Sequence, residues 1–226
     1  MAKIINYPML CLKKFKMSKL NNVCKRIFDI VGSLIALIIF SPFMLLAALA
    51  LWFESGWPVF YSHERVGKNG KKFWIYKIRS MVPNADEFLW ERNPKLLEEY
   101  KKSGYKLKND PRVTGVGRTL RRLDIDEMPQ FLNVLKGEMS LVGPRAYKPN
   151  ELEEQAKKHP QAKNDIRKSL KVKPGITGLW QVSGRNKVDF KERIRLDAFY
   201  SENQNIFLDI KLILKTPFAV LENHGD

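Results

Sequence analysis

From Ile30 to Phe53 no position carries a charged side chain; the run reads IVGSLIALIIFSPFMLLAALALWF, with Asp29 before it and Glu54 after it. A helix of about 20 apolar residues crosses the hydrocarbon core of a bilayer, so this run is long enough to span. It is apolar on every side, which a small soluble domain has no means to bury. It is too long for an ordinary secretory signal, and no cleavage site follows it. Ser41-Pro42 sits mid-run, where a proline removes one helical hydrogen bond and clashes with the preceding turn. The expectation is a kinked membrane segment over residues 25–56, preceded by a basic amphipathic segment at 1–24 and followed by one domain over 57–226. Lys25 and Arg26 put the entry on the cytoplasmic side. The residues leave a straight span and a hairpin that returns to the same side both open.

Patterning changes after Trp57. Pro58–Val66 and Lys72–Met81 are rich in aromatic and β-branched residues, and Asn69-Gly70 between them predicts a hairpin. Residues 84–102 read as helix interrupted at Pro94. Met128, Phe131, Leu132 and Leu135 follow the spacing i, i+3, i+4, i+7, which predicts a helix starting near Asp126, with Pro129 in its first turn and Gly137 at its stop. A strand is expected at Met139–Val142 and helices at Glu151–Lys158, Asp165–Leu170 and 188–201. Lys171–Asn186 reads as strand and loop, and Phe207–Leu221 as an amphipathic end broken at Pro217. The fold class is mixed α/β, a kinked apolar helix followed by a small domain with amphipathic helices able to rest on lipid.

Charge then narrows the partners. Forty basic against 24 acidic residues leave a net charge of +16, which calls for a polyanionic partner: nucleic acid, an anionic lipid surface or a phosphate-rich substrate. No nucleic-acid module is recognisable, so no nucleic-acid partner is expected. Cys11 and Cys24 have no metal-ligand spacing and fit a reducing compartment. Neither a Walker loop nor a GxGxxG fingerprint is present.

Asp126-Glu127 is the chemical candidate. Paired acids at a helix start are common surface features. Here Arg118, Arg121 and Arg122 precede them, and Lys136 and Arg145 follow. Helix start and arginines are both expected to keep a carboxylate ionised. An ionised aspartate can attack phosphorus, and a second carboxylate can help hold a divalent cation. The glycine turns at Gly143-Pro144-Arg145, Gly175–Gly178 and Ser183–Asn186 suit phosphate. Trp180 and Gln181 could pack on a base or sugar, or Trp180 could be core.

In order along the chain, KRIFDI (25–30), Ser41-Pro42, ERVGKNGKKFWIYKIRSM (64–81), NDPRVTGVGRTLRR (109–122), DEMPQFLNVLKGEMSLVGPR (126–145), VKPGITGLWQVSGRN (172–186) and RLDAFY (195–200) resemble the bacterial sugar transferase family, the monotopic phosphoglycosyl transferases. The resemblance implies transfer of a sugar 1-phosphate from a UDP-sugar to a polyprenyl (undecaprenyl) phosphate, releasing UMP and starting O-antigen, capsule or exopolysaccharide synthesis. It implies a re-entrant membrane helix-break-helix with its break at Ser41-Pro42, and a catalytic domain on the cytoplasmic face of the bacterial inner membrane. It implies Asp126 as nucleophile, Glu127 as its partner and Mg²⁺ near both. Lys77, Arg79, Arg121, Arg145, Gln181, Arg185 and Asp197 fall at substrate-binding positions, and a homodimer is compatible. Ala146 departs from a Pro-Arg-Pro pattern, and Asp124 stands where serine or threonine is frequent. Leu179–Gly184 looks more like the hexose-1-phosphate members. The rival readings are a non-catalytic membrane scaffold for glycan assembly and a tethered nucleic-acid binder.

Overall fold

The apolar run and its flanks form a single helix, α1, Lys19–Ser55, with Pro42 inside it. This is a computed structural model, and it describes residues 19–222 apart from 92, 103–106 and 108. Most of the basic segment expected at 1–24 therefore lies outside the described residues. The helical backbone continues through Ser41-Pro42, where the sequence predicts a break. The cost of the proline is still visible. Pro42 has no N–H for the Ile38 carbonyl, and the Ser41 hydroxyl donates to that carbonyl at 3.0 Å. An orphaned carbonyl in an apolar medium is expensive, so the serine relieves the defect beside it.

Both ends of α1 are tied to the following domain. At the start, Lys25 Nζ donates to Ser140 Oγ at 2.6 Å and pairs with Asp209 at 2.8 Å. Arg26 donates to the Val134 and Leu135 carbonyls at 2.6 and 2.8 Å. At the end, Glu54 accepts from the Val116 N–H at 3.2 Å, and Arg79 Nη2 donates to the Ser55 and Gly56 carbonyls. Between these ends one side packs on the domain through Phe28, Leu37, Phe40, Ala47 and Leu51. The opposite side is bare: Ile38 and Phe53 are 74% and 80% exposed.

The hairpin forms as its patterning predicts, β1 Phe60–Val66 against β2 Lys72–Ile78, with Tyr61 opposite Lys77 and His63 opposite Ile75. Two short helices follow, α2 Ala85–Trp90 and α3 Pro94–Lys102, so Pro94 opens a helix rather than interrupting one. α4, Gly115–Arg122, was hidden in the sequence by its two glycines. Gly117 is there for space: a Cβ would stand 2.0 Å from the Ser80 carbonyl oxygen. Thr114 caps this helix by accepting from the Gly117 N–H at 2.9 Å. A 3-10 turn, Ile125–Glu127, then leads into α5, Gln130–Lys136, which ends on left-handed Gly137.

β3, Ser140–Val142, pairs in parallel with β4, Gly175–Thr177. Between them lie α6 Pro149–Lys158 and α7 Lys163–Ser169. The 171–186 stretch, read as strand and loop, also holds a short helix, α8 Leu179–Val182. α9, Phe190–Asn203, and α10, Ile206–Glu222, close the chain, and α10 is continuous through Pro217. Among the described residues the result is helix-rich α/β with two small sheets.

Asn133 on α5 is fully buried and joins the two sides of this arrangement. Its Oδ1 accepts from the Tyr76 N–H at 3.0 Å; its amide donates to the Trp74 carbonyl and to Glu138, both at 2.7 Å. Asn133→Leu keeps the volume and strands those groups. We expect a loss of about 3 kcal/mol of stability, since unpaired buried polar groups cost roughly 1–3 kcal/mol each. Thermal unfolding in a fixed detergent checks it; a variant melting with the wild type would show that α5 is held otherwise.

Candidate active site

The 3-10 turn before α5 presents its two acids differently. Asp126 is buried, with 7% of its surface exposed. The Glu127 side chain keeps 32% of its surface, and its Oε1 accepts from Lys77 Nζ at 2.6 Å. The same ammonium stands 3.9 Å from Asp126 Oδ2. Lys77 reaches both because β2 points it at the turn, on the hairpin face it shares with Tyr61, His63 and Arg65.

The sequence predicts that both acids stay ionised with ease; the structure separates them. Burial raises the Asp126 carboxyl to about 6, with Glu127 adding to the rise and Lys77 and Arg121 opposing it. Burial also pushes Glu127 upward, but the Lys77 charge and hydrogen bond, with help from Arg145, outweigh it and hold that carboxyl low. The helix start contributes little here, because α5 is short and the acids precede it. Asp126 is thus a weakly solvated carboxylate, and Glu127 is the acid that holds the lysine.

The other predicted residues fall around this pair. Arg121 donates its Nε to Ser80 Oγ at 2.7 Å and acts electrostatically on Asp126. Arg145 lies on the Glu127 side, in the loop after β3. Gly143 lets that loop lie flat on the next strand, since a Cβ there would meet the Lys173 carbonyl oxygen at 2.5 Å. The Arg145 guanidinium stacks over Trp180 at 5.1 Å, and Arg193 stacks over the same ring at 4.8 Å. Trp180 is buried, as the core reading has it, and its ring is the platform for two arginines.

Asp197 lies on α9. It is fully buried and accepts from the Arg145 backbone N–H at 3.2 Å and the Tyr147 hydroxyl at 3.5 Å. Burial raises its carboxyl to about 7, against the pull of the Arg145 and Arg193 cations. Its other oxygen, Oδ1, is buried with no hydrogen-bond partner among the described residues.

Three predicted residues are engaged elsewhere. Arg185 pairs with Asp124 at 2.5 Å, tying the late loop to the residue that leads into the Ile125–Glu127 turn. Both residues of that pair have left-handed backbones, φ 49 and 53. Gln181 donates to the Ile176 carbonyl at 2.8 Å. Arg79 caps the end of α1, while its Nε and Nη1 are buried without a partner among the described residues.

Sequence reasoning passed over His63 and Arg65. Arg65 Nε donates to His63 Nε2 at 2.7 Å, and Arg65 Nη1 to the Ala146 carbonyl at 3.0 Å. His63 is neutral: burial, then Arg65 and Lys77, lower it to about 3. The signal was period-two spacing. Tyr61, His63 and Arg65 occupy alternate positions of β1, on the face that carries Lys77.

Among the described residues no group of three His, Cys, Asp or Glu is placed to hold a metal. Mg²⁺ does not require one. It commonly takes one or two carboxylates and completes its shell with water and substrate phosphate. Asp126 with the half-exposed Glu127 fits that mode.

An apolar helix tied at both ends to a small α/β domain thus stands over a centre with a buried aspartate and a lysine-bound glutamate. The bacterial sugar transferase family matches residues 20–223, and the chain belongs to it. An undecaprenyl-phosphate galactose phosphotransferase of Salmonella typhimurium is 47% identical over 89% of this chain and 41% of its own length. The exopolysaccharide production protein ExoY of Rhizobium meliloti is 42% identical over 91% of this chain and 89% of its own. A UDP-glucose:undecaprenyl-phosphate glucose-1-phosphate transferase of Klebsiella pneumoniae is 36% identical over 96% and 44%. The chain therefore spans less than half of the Salmonella and Klebsiella relatives and nearly all of the Rhizobium one.

Proposed function

We propose that this chain transfers a sugar 1-phosphate, a hexose phosphate by preference, from a UDP-sugar to undecaprenyl phosphate at the cytoplasmic face of a bacterial inner membrane, starting the synthesis of a surface polysaccharide. The observation that carries the reading is the buried Asp126 beside the Lys77–Glu127 pair. A poorly solvated carboxylate, ionised near neutral pH and next to cations, is a suitable nucleophile for an anionic phosphorus centre.

In the reaction, an Asp126 oxygen attacks the β-phosphorus of the donor. The bond from that phosphorus to the oxygen shared with the α-phosphate breaks, and UMP leaves with the electron pair. The sugar phosphate is then an acyl phosphate on Asp126. A phosphate oxygen of undecaprenyl phosphate attacks the same phosphorus, the Asp126–phosphorus bond breaks and the carboxylate is restored. Lys77, Arg121 and Arg145 offset the phosphate charge. Asp197 fixes the Arg145 loop through the Arg145 N–H. Mg²⁺ held by Asp126 and Glu127 would supply further neutralisation of the diphosphate.

The packing of α1 supports the re-entrant topology. A helix crossing a bilayer carries its far end about 30 Å from the near surface. Here Lys25 and Arg26 at one end, and Glu54 and Ser55 at the other, bond to one domain. We take the segment to change direction by a kink at Ser41-Pro42 within the continuous helix α1, where the proline removes one rung of the ladder.

The test is release of UMP by the purified chain from a panel of UDP-sugars, with undecaprenyl phosphate and Mg²⁺. A hexose donor is expected to give UMP and a lipid-linked sugar diphosphate over many turnovers. No UMP from any donor would overturn the assignment.

A further inference from the structure

Arg65 lies near the end of β1, on the hairpin face that carries Lys77. His63 and the Ala146 carbonyl accept from its Nε and Nη1, and its Nη2 makes no hydrogen bond among the described residues. The Arg145 guanidinium is freer still. It rests on the Trp180 ring, and its Nε is buried without a hydrogen-bond partner among the described residues. Burial, and then the Arg145 charge, lower the Arg65 guanidinium to about 10. Two cations crowded in this way call for an anion between them.

The anion present is Glu151, in the first turn of α6. Its Oε2 stands 3.8 Å from Arg65 Nη1, and its Oε1 stands 4.0 Å from Arg145 Nε. Both distances are too long for hydrogen bonds. The bond that Glu151 does make is a weak one, accepted from the Lys148 N–H at 3.4 Å. Its carboxylate thus offsets two arginines and satisfies the donors of neither. Its side chain is 31% exposed, whereas that of Arg65 is only 11% exposed. A phosphate, whose oxygens bond guanidinium forks directly, is the better partner for this pair.

The charges form a row through the site. Lys77 and Arg121 act on Asp126, Lys77 and Arg145 act on Glu127, and Arg145, Glu151 and Glu127 act on Arg65. A diphosphate with its β-phosphorus at Asp126 has its α-phosphate one bridging oxygen further along. The guanidinium donors left unpaired are at the Arg65 end of the row. Resting on the transferase reading above, we infer that Arg65 joins Arg145 in binding the α-phosphate of the UDP-sugar, and that Glu151 is their stand-in anion, displaced when that phosphate arrives.

The test uses UMP, which carries this phosphate alone, and uridine, which lacks it. Binding is measured by titration calorimetry on the full chain in detergent with Mg²⁺. Glu151→Gln removes the charge and keeps the bond to the Lys148 N–H, because glutamine serves equally well at that helix position. It is expected to tighten UMP by about threefold, the scale of a half-exposed ion pair. The gain should fade as salt is raised. Uridine binding should not change. Glu153→Gln, the same charge change at an exposed acid two residues on, should leave UMP binding as it is. Arg65→Met is expected to weaken UMP by about tenfold. UMP affinity unchanged or weakened in Glu151→Gln would overturn the assignment. So would an equal gain for uridine or in Glu153→Gln, or wild-type UMP affinity in Arg65→Met. Glu151→Gln decides the matter if Arg65→Met does not fold. A wild-type chain that releases no UMP from any UDP-sugar overturns the transferase reading itself, and this assignment falls with it.

Discussion

Asp126→Asn is expected to lower the rate of UMP release by about 10³-fold or more, the scale on which loss of a nucleophile acts. The amide keeps the shape of the side chain and the packing of the 3-10 turn. Its environment even favours a neutral group, because burial already lifts the acid toward the protonated form. The variant should therefore fold and melt like the wild type, or slightly above it. What it lacks is the oxygen that carries negative charge to phosphorus. Rapid-quench measurement of UMP with a saturating UDP-sugar reads the effect directly. Activity within about tenfold of the wild type would move the nucleophile elsewhere, because a spectator carboxylate at this position leaves the chemical step intact.

Lys77→Met is expected to show the second largest loss, and the loss should depend on pH. The lysine stabilises the charged forms of both acids: it bonds Glu127 at 2.6 Å and stands 3.9 Å from Asp126. The sign follows from its charge. Removing a cation favours protonation, so the Asp126 carboxyl rises above its value of about 6. The proposed nucleophile is the ionised form, which is depleted below that pKa. The acid limb of the rate profile should therefore move to higher pH. We expect a loss on the order of 10²-fold near pH 6 and a smaller one near pH 8. Lys77→Arg, with charge but a different reach, should restore the limb more than the rate. An acid limb unmoved in Lys77→Met would mean that Lys77 does not govern the dyad.

Much of this was legible in the sequence, for identifiable reasons. The apolar run, the Asn69-Gly70 hairpin and the α5 spacing are local patterns that tertiary context had no cause to override. The family motifs run nearly the whole chain, and the family assignment they carried is borne out. What escaped depended on distant neighbours. α4 has too many glycines to read as a helix; Gly117 is fixed by the Ser80 backbone, far away in the chain. The partner of Asn133 is a strand that precedes it by more than fifty positions. The degree of Asp126 burial, which reverses its expected ease of ionisation, is set by α1, β2 and α4 together. Tyr61, His63 and Arg65 were readable as a strand face, but only once Lys77 was known to lie opposite. The Ser41-Pro42 element was visible, and the structure adds that the serine hydroxyl serves the very carbonyl the proline leaves free.

The central claim is that the sugar phosphate passes through a covalent bond to Asp126. Intact-protein mass spectrometry tests it most directly, on chain mixed with a UDP-sugar in the absence of acceptor and quenched rapidly. The account predicts a mass gain of one sugar phosphate per chain, absent in Asp126→Asn and discharged when undecaprenyl phosphate is added before the quench. UMP formed only when both substrates are present, with no adduct at any quench time, would contradict it and indicate direct transfer between the two substrates.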